Sequence, residues 1–410
     1  MILVIGGGPA GMMAAIKAAE SAEVTLIEKN EKLGKKLFIT GKGRCNLCND
    51  CDDPFFFEVL NRNASFMYSS YYSFTAAMLK DFFESRGTPL KVERGDRVFP
   101  RSDKSSDIIK TLERELEKRK VAIRLNTMVK SIEREEDGYA LKTNRGTFRG
   151  DKVIVATGGM TYRLTGSTGD GYGFAKDFAM GVVRPVAGLV GLKLKENYLE
   201  ELSGLSLKNV ALTATTKEGS YSDFGEMLFT HFGISGPIVL SLSSKINRSK
   251  DVDLSIDLKP ALTEEVLDKR LLREVKDNSN RAMHNLMKHL LPKSLITPVL
   301  HQAQVPQDLP AHQLAVQMRR ELIHTLKNFR LHYAGLFNEN TGIITTGGVD
   351  VKDVDPSTME SKRAKGLYFC GEVLDVDGPT GGFNLQIAFS TGYLAGVCSG
   401  EEELNENHRH

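Results

Sequence analysis

The sequence predicts an α/β chain whose nucleotide-binding domain, Rossmann-like, is built from both ends and interrupted by an inserted domain. Three observations carry that expectation. The turn Gly6-Gly7-Gly8-Pro9-Ala10-Gly11 directly follows the apolar run Met1 to Ile5. A second glycine-rich stretch, GLYFCGEVLDVDGPTGGFNLQIAFSTGYLAG, fills residues 366–396. Between them the pattern changes to short apolar runs with glycine turns and then to long helical stretches. The expected boundaries are 1–188 and 343–410 for the two halves, and 189–342 for the insertion, with 189–260 β-rich and 261–340 helical.

At the amino end, an apolar run, a glycine turn and the alanine-rich Ala10 to Ala19 read as strand, turn and helix. Gly6 permits the sharp turn, Gly8 lets backbone N–H groups approach a pyrophosphate, and Gly11 lets the helix lie close to the strand. Val24 to Ile27 supplies a second strand, and Glu28 closes it with a carboxylate able to accept from both ribose hydroxyls. With a second glycine-rich segment at the far end, the pair points to a resident flavin, FAD, rather than a shuttling nicotinamide.

Further along, Phe55 to Gly87 is rich in aromatic residues and serine, with a helical stretch from Phe74 to Ser85, and reads as a lid or connection. Apolar Ile108, Ile109, Leu112 and Leu116 give Asp103 to Lys120 a helical stripe, and Val121 to Leu125 is strand-like. Met128 to Ile132, Tyr139 to Thr143 and Thr147 to Arg149, separated by Asp137-Gly138 and Asn144-Arg145-Gly146, read as an antiparallel ribbon. Lys152 to Ala156 is an apolar strand ending in Thr157-Gly158-Gly159, a second cofactor contact at the carboxyl end of a strand. An active site at the junction of the two domains is expected.

Composition narrows the class. The 410 residues call for two or three domains, and 41% hydrophobic with 26% charged residues describes an ordinary globular protein. A formal net charge of +2 without a long basic run lacks the footprint of a nucleic-acid binder. No window approaches the ~20 apolar residues of a membrane span, and the strand at residue 2 leaves no room for a signal peptide, so a cytoplasmic protein is expected. Cys45, Cys48 and Cys51 resemble part of an iron–sulfur run, but Asp52-Asp53-Pro54 follows in place of the C-x-x-x-C-P ending, and no metal is expected. A redox-active thiol stays open. Six histidines from His284 to His332 are spaced too widely for a metal motif.

For the chemistry, Gly43, Arg44 and Asn46 lie on a glycine-rich loop behind the nucleotide core, within reach of a flavin ring or its phosphates; a structural Arg44 fits equally well. His231, between an apolar run and Gly233, is a candidate acid, with a packed histidine as the alternative. Cys45 is the candidate redox thiol.

Together the motifs resemble the HI0933-like flavoproteins, also labelled YhiN-like, BaiN-like or aminoacetone-oxidase-like. The resemblance rests on GGGPAG from Gly6, ITGKGRCN from Ile39, DRVFPRSDKSSD from Asp96, ATGGMTYRLTGSTGDGYGFA from Ala156, EMLFTHFGISGP from Glu226, TTGGVDVKDVDPSTMESKRAKGLYFCGEVLDVDG from Thr345 and TGGFNLQIAFSTGYLAG from Thr380. Cys48 and Cys51 depart from the family's usual GRCNLTN, while Cys45 fits. The resemblance implies an FAD-binding domain of glutathione-reductase type with an inserted β-barrel-like plus helical domain. It implies that Gly6, Gly8, Pro9, Ala10 and Gly11 meet the pyrophosphate, Glu28 and Lys29 the ribose, and Val129 the adenine. Thr157 and Gly158 are implied beside the pyrophosphate, and Gly371, Glu372 and Asp377 along the ribityl and phosphate region. Gly382, Phe383, Asn384 and Leu385 are implied at the flavin carbonyl edge, where a helix amino end stabilises negative charge.

The local Thr168-Gly169-Asp170-Gly171 resembles the T-G-D-G of fumarate-reductase-type flavoproteins, which reduce activated C=C bonds. The expected activity is hydride transfer between FAD and a small molecule, with NAD(P)H as a transient reductant. Amine oxidation, flavin-thiol chemistry through Cys45, and action on tRNA are the alternatives. No second glycine motif with strand context marks a dedicated nicotinamide domain. The oligomeric state is not legible.

Overall fold

Five short apolar strands define the first layer. In the computed structural model, which describes residues 1–401, they form a parallel sheet in the order Leu367–Phe369, Lys152–Val155, Ile2–Ile5, Val24–Ile27, Ala122–Arg124. The register pairs Ile2 with both Lys152 and Val24, and Val153 with Leu367. Ile2–Ile5 and Val24–Ile27 are buried at every position. That continuous apolarity is what a parallel strand covered on both faces requires. The strand from residue 367 joins the edge of a sheet whose centre is residue 2, so distant parts of the chain meet.

The helix Pro9–Ala18 starts with proline at its first turn and ends with Lys17, both suited to their positions. It is buried nearly all round, because a second apolar helix, Phe383–Gly400, covers its other side. A Cβ on Gly392 would lie 2.3 Å from the Ala10 carbonyl oxygen, and one on Gly396 2.4 Å from that of Ala14. Glycines four apart thus bring the two backbones together along parallel axes. The segment 343–410 was expected as one half-domain; residues 402–410 lie outside the described residues.

The chain divides into two compact units: Met1–Ala187 with the segment from Asn340 onward, and Gly188–Glu339. Besides the parallel sheet, the first unit holds the three-stranded ribbon Val129–Glu135, Gly138–Thr143, Gly146–Gly150, and a pair between Val182–Gly188 and Ile344–Val349. The helix expected from 103 to 120 runs Ser105–Lys118. The stretch expected as one helix from Phe74 is two, Tyr68–Ser73 and Ala76–Glu84, because Thr75 caps the second by accepting from the Met78 N–H.

The second unit has its own core around a closed six-stranded barrel. Its order is Leu192–Leu194, Gly233–Ser235, Ser220–Thr230, Ser206–Thr215, Asp253–Asp257, Phe329–Leu336. Two local expectations need correction. Phe329–Leu336 was placed in a helical region, yet it is the strand that closes the barrel. Phe329 and Leu331 are buried and Arg330 and His332 exposed, a period of two that the preceding helix obscured. Pro237–Ile246, placed among strands, is a helix that buries Ile238, Val239, Leu242 and Ile246. The proline after Gly236 was its start signal. Among the described residues no helix is long and apolar enough to cross a membrane.

Candidate functional site

The glycine turn is built as a cradle. A Cβ on Gly6, at φ +105°, would lie 2.4 Å from the Ala156 carbonyl oxygen, and one on Gly11 would lie 1.9 Å from that of Gly6. Both positions are closed by backbone. A Cβ on Gly8 would meet nothing within 4 Å. Gly8 is the extended cap of Pro9–Ala18, no side chain caps that helix, and its first turn carries no acid. The first N–H groups of a helix lack intrahelical partners and attract anions. The open space at Gly8, facing uncapped donors, fits a pyrophosphate.

Glu28 is buried at the end of its strand. One of its oxygens accepts from the Gly7 N–H at 2.7 Å, and the other from the Asn30 N–H at 2.8 Å and side-chain amide at 2.7 Å. A carboxylate has about four acceptor positions, so one remains for a ribose hydroxyl. The Thr127 N–H donates to the Glu28 carbonyl, which brings the ribbon and its buried Val129 beside the same strand end. Lys29 is turned elsewhere: it binds Thr168 and, at 2.5 Å, Asp170. That bond gives the T-G-D-G segment a place, tied to the ribose strand.

On the opposite side, Gly371, at φ +82°, lies where a Cβ would come 2.7 Å from that of Ala10. Its N–H donates to the Thr391 hydroxyl at 2.9 Å, fixing the turn to the last helix. Thr157 and Gly158 (φ +72°) follow the neighbouring strand. Glu372 forms two 2.8 Å bonds with the Lys36 amine and accepts from the Thr345 N–H at 2.8 Å. The buried Asp377 accepts from the Asn61 side chain at 2.9 Å and stands 3.7 Å from the Arg62 guanidinium. Lys36, Asn61 and Thr391 escaped the sequence reading; Thr391 sits on the helical stripe, but Lys36 and Asn61 are separated from their partners by hundreds of residues.

The last helix presents a second uncapped amino end, with Gly382 at φ +104° and no acid in the first turn. A Cβ on Gly382 would sit 2.3 Å from the Cys48 carbonyl carbon. The Asn46 amide fits between them, its oxygen accepting from the Gly382 N–H and its nitrogen donating to the Cys48 carbonyl, each at 3.2 Å. Asn384 uses its side chain to close the preceding loop, accepting from the Gly378 N–H at 3.0 Å and donating to the Gly378 and Pro379 carbonyls at 2.8 and 3.1 Å. Phe383 is buried and Leu385 partly buried, leaving the backbone donors as the polar feature of this end. Because Gly392 faces Ala10, the span from Gly382 to Gly392 carries the last helix about 15 Å beyond the start of the first. Two parallel, offset anion-binding ends suit an extended dinucleotide with a phosphate at one and an electron-rich ring at the other. These residues fit FAD.

The candidate reactive groups are less concentrated. The Arg44 guanidinium stacks on Phe99, 4.1 Å from the ring centre, and is paired with Glu93 and Asp103. Those carboxylates raise its pKa, Glu93 most, and are themselves held below their usual range. Gly43, at φ +84°, has open space beside it. Cys45 is fully buried, and burial pushes its thiol up to about 12, so at neutral pH it carries no nucleophilic thiolate. Cys48 is pushed up similarly and half-buried Cys51 to about 11. His231 is exposed on the turn between Ser220–Thr230 and Gly233–Ser235 in the second unit.

The HI0933-like protein Rossmann domain matches residues 1–398. The chain belongs to this family. It is an enzyme, an FAD-dependent oxidoreductase. A 3-dehydro-bile acid delta(4,6)-reductase of Clostridium scindens is 32% identical over 405 residues, 97% of this chain and 98% of the relative. A ribosomal RNA dihydrouridine synthase of Escherichia coli is 34% identical over 393 residues, 95% and 96% of the two chains. Among solved structures, the 3-ketosteroid-delta4-(5alpha)-dehydrogenase of Rhodococcus jostii matches with a TM-score of 0.52 at 13% identity, covering 98% of this chain and 96% of that one. That likeness speaks to the fold.

Proposed function

We propose that this HI0933-like chain reduces a carbon–carbon double bond conjugated to a carbonyl, with NAD(P)H as electron source. One observation carries the reading: two relatives matched over almost their whole length have names that describe saturation of such a bond, one in a keto bile acid and one in uracil. Their substrates differ greatly in size but share a polarised alkene. Saturation needs a hydride at the carbon remote from the carbonyl and a proton at its neighbour. Bound FAD supplies the hydride chemistry.

The chain's own part is to hold the cofactor and deliver the proton. Gly8 and the Pro9–Ala18 amino end bind phosphate, Glu28 the ribose, and the Phe383–Gly400 amino end stabilises charge at the ring. The exposed His231 imidazole is the candidate proton donor. Arg44, already paired with two carboxylates, serves the loop that carries Asn46. The net charge of +2 favours a small molecule over RNA.

The test is the anaerobic absorption spectrum of the purified protein before and after NADH or NADPH. Bleaching of the flavin band is expected, followed by recovery on adding a 4-en-3-one steroid. Recovery with a uridine-containing ribosomal RNA fragment but not the steroid would assign the RNA substrate. A flavin that resists both nicotinamides but is bleached by a primary amine would replace the reductase reading with an oxidase one. A protein that cannot be loaded with FAD would overturn both.

A further inference from the structure

A carboxylate stands where the cradle should tolerate only neutral or positive groups. Gly371 touches Ala10, the first residues of Pro9–Ala18 receive a doubly charged pyrophosphate, and Glu372 is the next residue along. Like charges this close, in a partly buried setting, weaken binding. The Glu372 carboxylate is only 23% exposed, so water screens it incompletely.

Lys36 answers that charge. It lies on the short helix Lys35–Ile39, which follows the ribose strand and is anchored to the cradle by the Gly34 N–H donating to the Gly7 carbonyl at 2.8 Å. Its amine, 19% exposed, meets both Glu372 oxygens at 2.8 Å and donates to the Thr161 hydroxyl at 3.1 Å. The remaining Glu372 contact is the Thr345 N–H, and the Thr345 hydroxyl accepts from the Met160 N–H at 2.8 Å. A Cβ on Gly159 would lie 2.9 Å from Glu372, so the Gly158-Gly159 turn closes over the same carboxylate. One carboxylate thus ties four separate parts of the cradle. Without a cation it would bring an uncompensated negative charge with it.

We propose that Lys36 is a positioning residue for FAD: by neutralising Glu372 it lets that carboxylate lock the cradle together without repelling the pyrophosphate. The role depends on FAD binding and not on which substrate is reduced. It predicts a coupling of definite sign between the two residues.

The test measures FAD dissociation from the full-length protein by fluorescence, with the melting temperature of the FAD-free form alongside. Lys36→Met should weaken FAD binding by about tenfold or more, since it leaves a partly buried charge unpaired. Adding Glu372→Gln in the same chain should recover most of that loss, because the amide keeps the hydrogen bonds and drops the charge. Lys36→Arg should bind nearly as the parent does. Unchanged binding in Lys36→Met would overturn the proposal. So would a double variant as weak as Lys36→Met alone, since a merely structural lysine gives that result together with a lowered melting temperature. If Lys36→Met does not fold, the comparison of Lys36→Arg with Lys36→Gln and its Glu372→Gln partner reads the same coupling. A parent protein that takes up no FAD would overturn the proposal and the cofactor assignment together.

Discussion

One methyl group asks different things of Gly8 and Gly11. At Gly11 the added carbon meets the Gly6 carbonyl at 1.9 Å, so Gly11→Ala must push the helix off the strand and should lower both the melting temperature and FAD content. At Gly8 it meets open space, so Gly8→Ala should leave the FAD-free fold unchanged while costing FAD affinity about tenfold or more, because the backbone approach to the phosphate is lost. Calorimetry and fluorescence titration of the pair separate the two roles. The sequence reading assigned both functions correctly in kind, because a glycine motif with strand and helix around it has few physical solutions. It could not see Lys36 and Glu372 meet, since nothing local to either names a partner more than three hundred residues away. Cys45 gives a pH prediction. Its folded thiol is raised from an ordinary 9.0 to about 12, so its stabilising effect is complete below pH 9 and lost as the pH rises toward 12, at about 1 kcal/mol per pH unit. Cys45→Ala should flatten that alkaline slope in denaturant titrations, and the native thiol should resist iodoacetamide at neutral pH.

Between residues and fold stand the two packed helices. Gly392 and Gly396 fit against Ala10 and Ala14, and a larger side chain there has only backbone to displace. Gly396→Val should cost about 3 kcal/mol by chemical denaturation, with loss of FAD following, because the second anion-binding end moves with the helix. Asn384→Ala removes three hydrogen bonds from the loop before that end and should cost about 1–3 kcal/mol, with faster flavin loss as the readout. Elements with strong periodicity were legible: the stripe at Ile108, Ile109, Leu112 and Leu116 gave its helix to within a few residues. Phe329–Leu336 was not, because a strand's alternation over eight residues beside a helix is weak evidence until its partners in the barrel are known. Pro237–Ile246 was missed for a different reason, its Gly-Pro start being read as another turn.

At the scale of the whole molecule, the division into Met1–Ala187 with the later segment, and Gly188–Glu339, predicts separable folding. The second unit has a core and a closed barrel of its own, so a fragment of residues 188–339 should unfold cooperatively in a calorimeter and bind no flavin. A fragment that melts without a transition would refute that independence. The first unit has the opposite property, because the strand Leu367–Phe369 pairs with Lys152–Val155 and the helix Phe383–Gly400 covers Pro9–Ala18. On the ribosome this has a timetable. At about 5–20 residues per second, roughly 20–70 s separate the emergence of the first strand from that of its last sheet partner. During that interval the barrel can finish while the edge of Lys152–Val155 stays open, a template for pairing with another chain. Late truncations should therefore yield aggregates rather than a weakened enzyme, and holdase chaperones should be found on chains stalled short of residue 367.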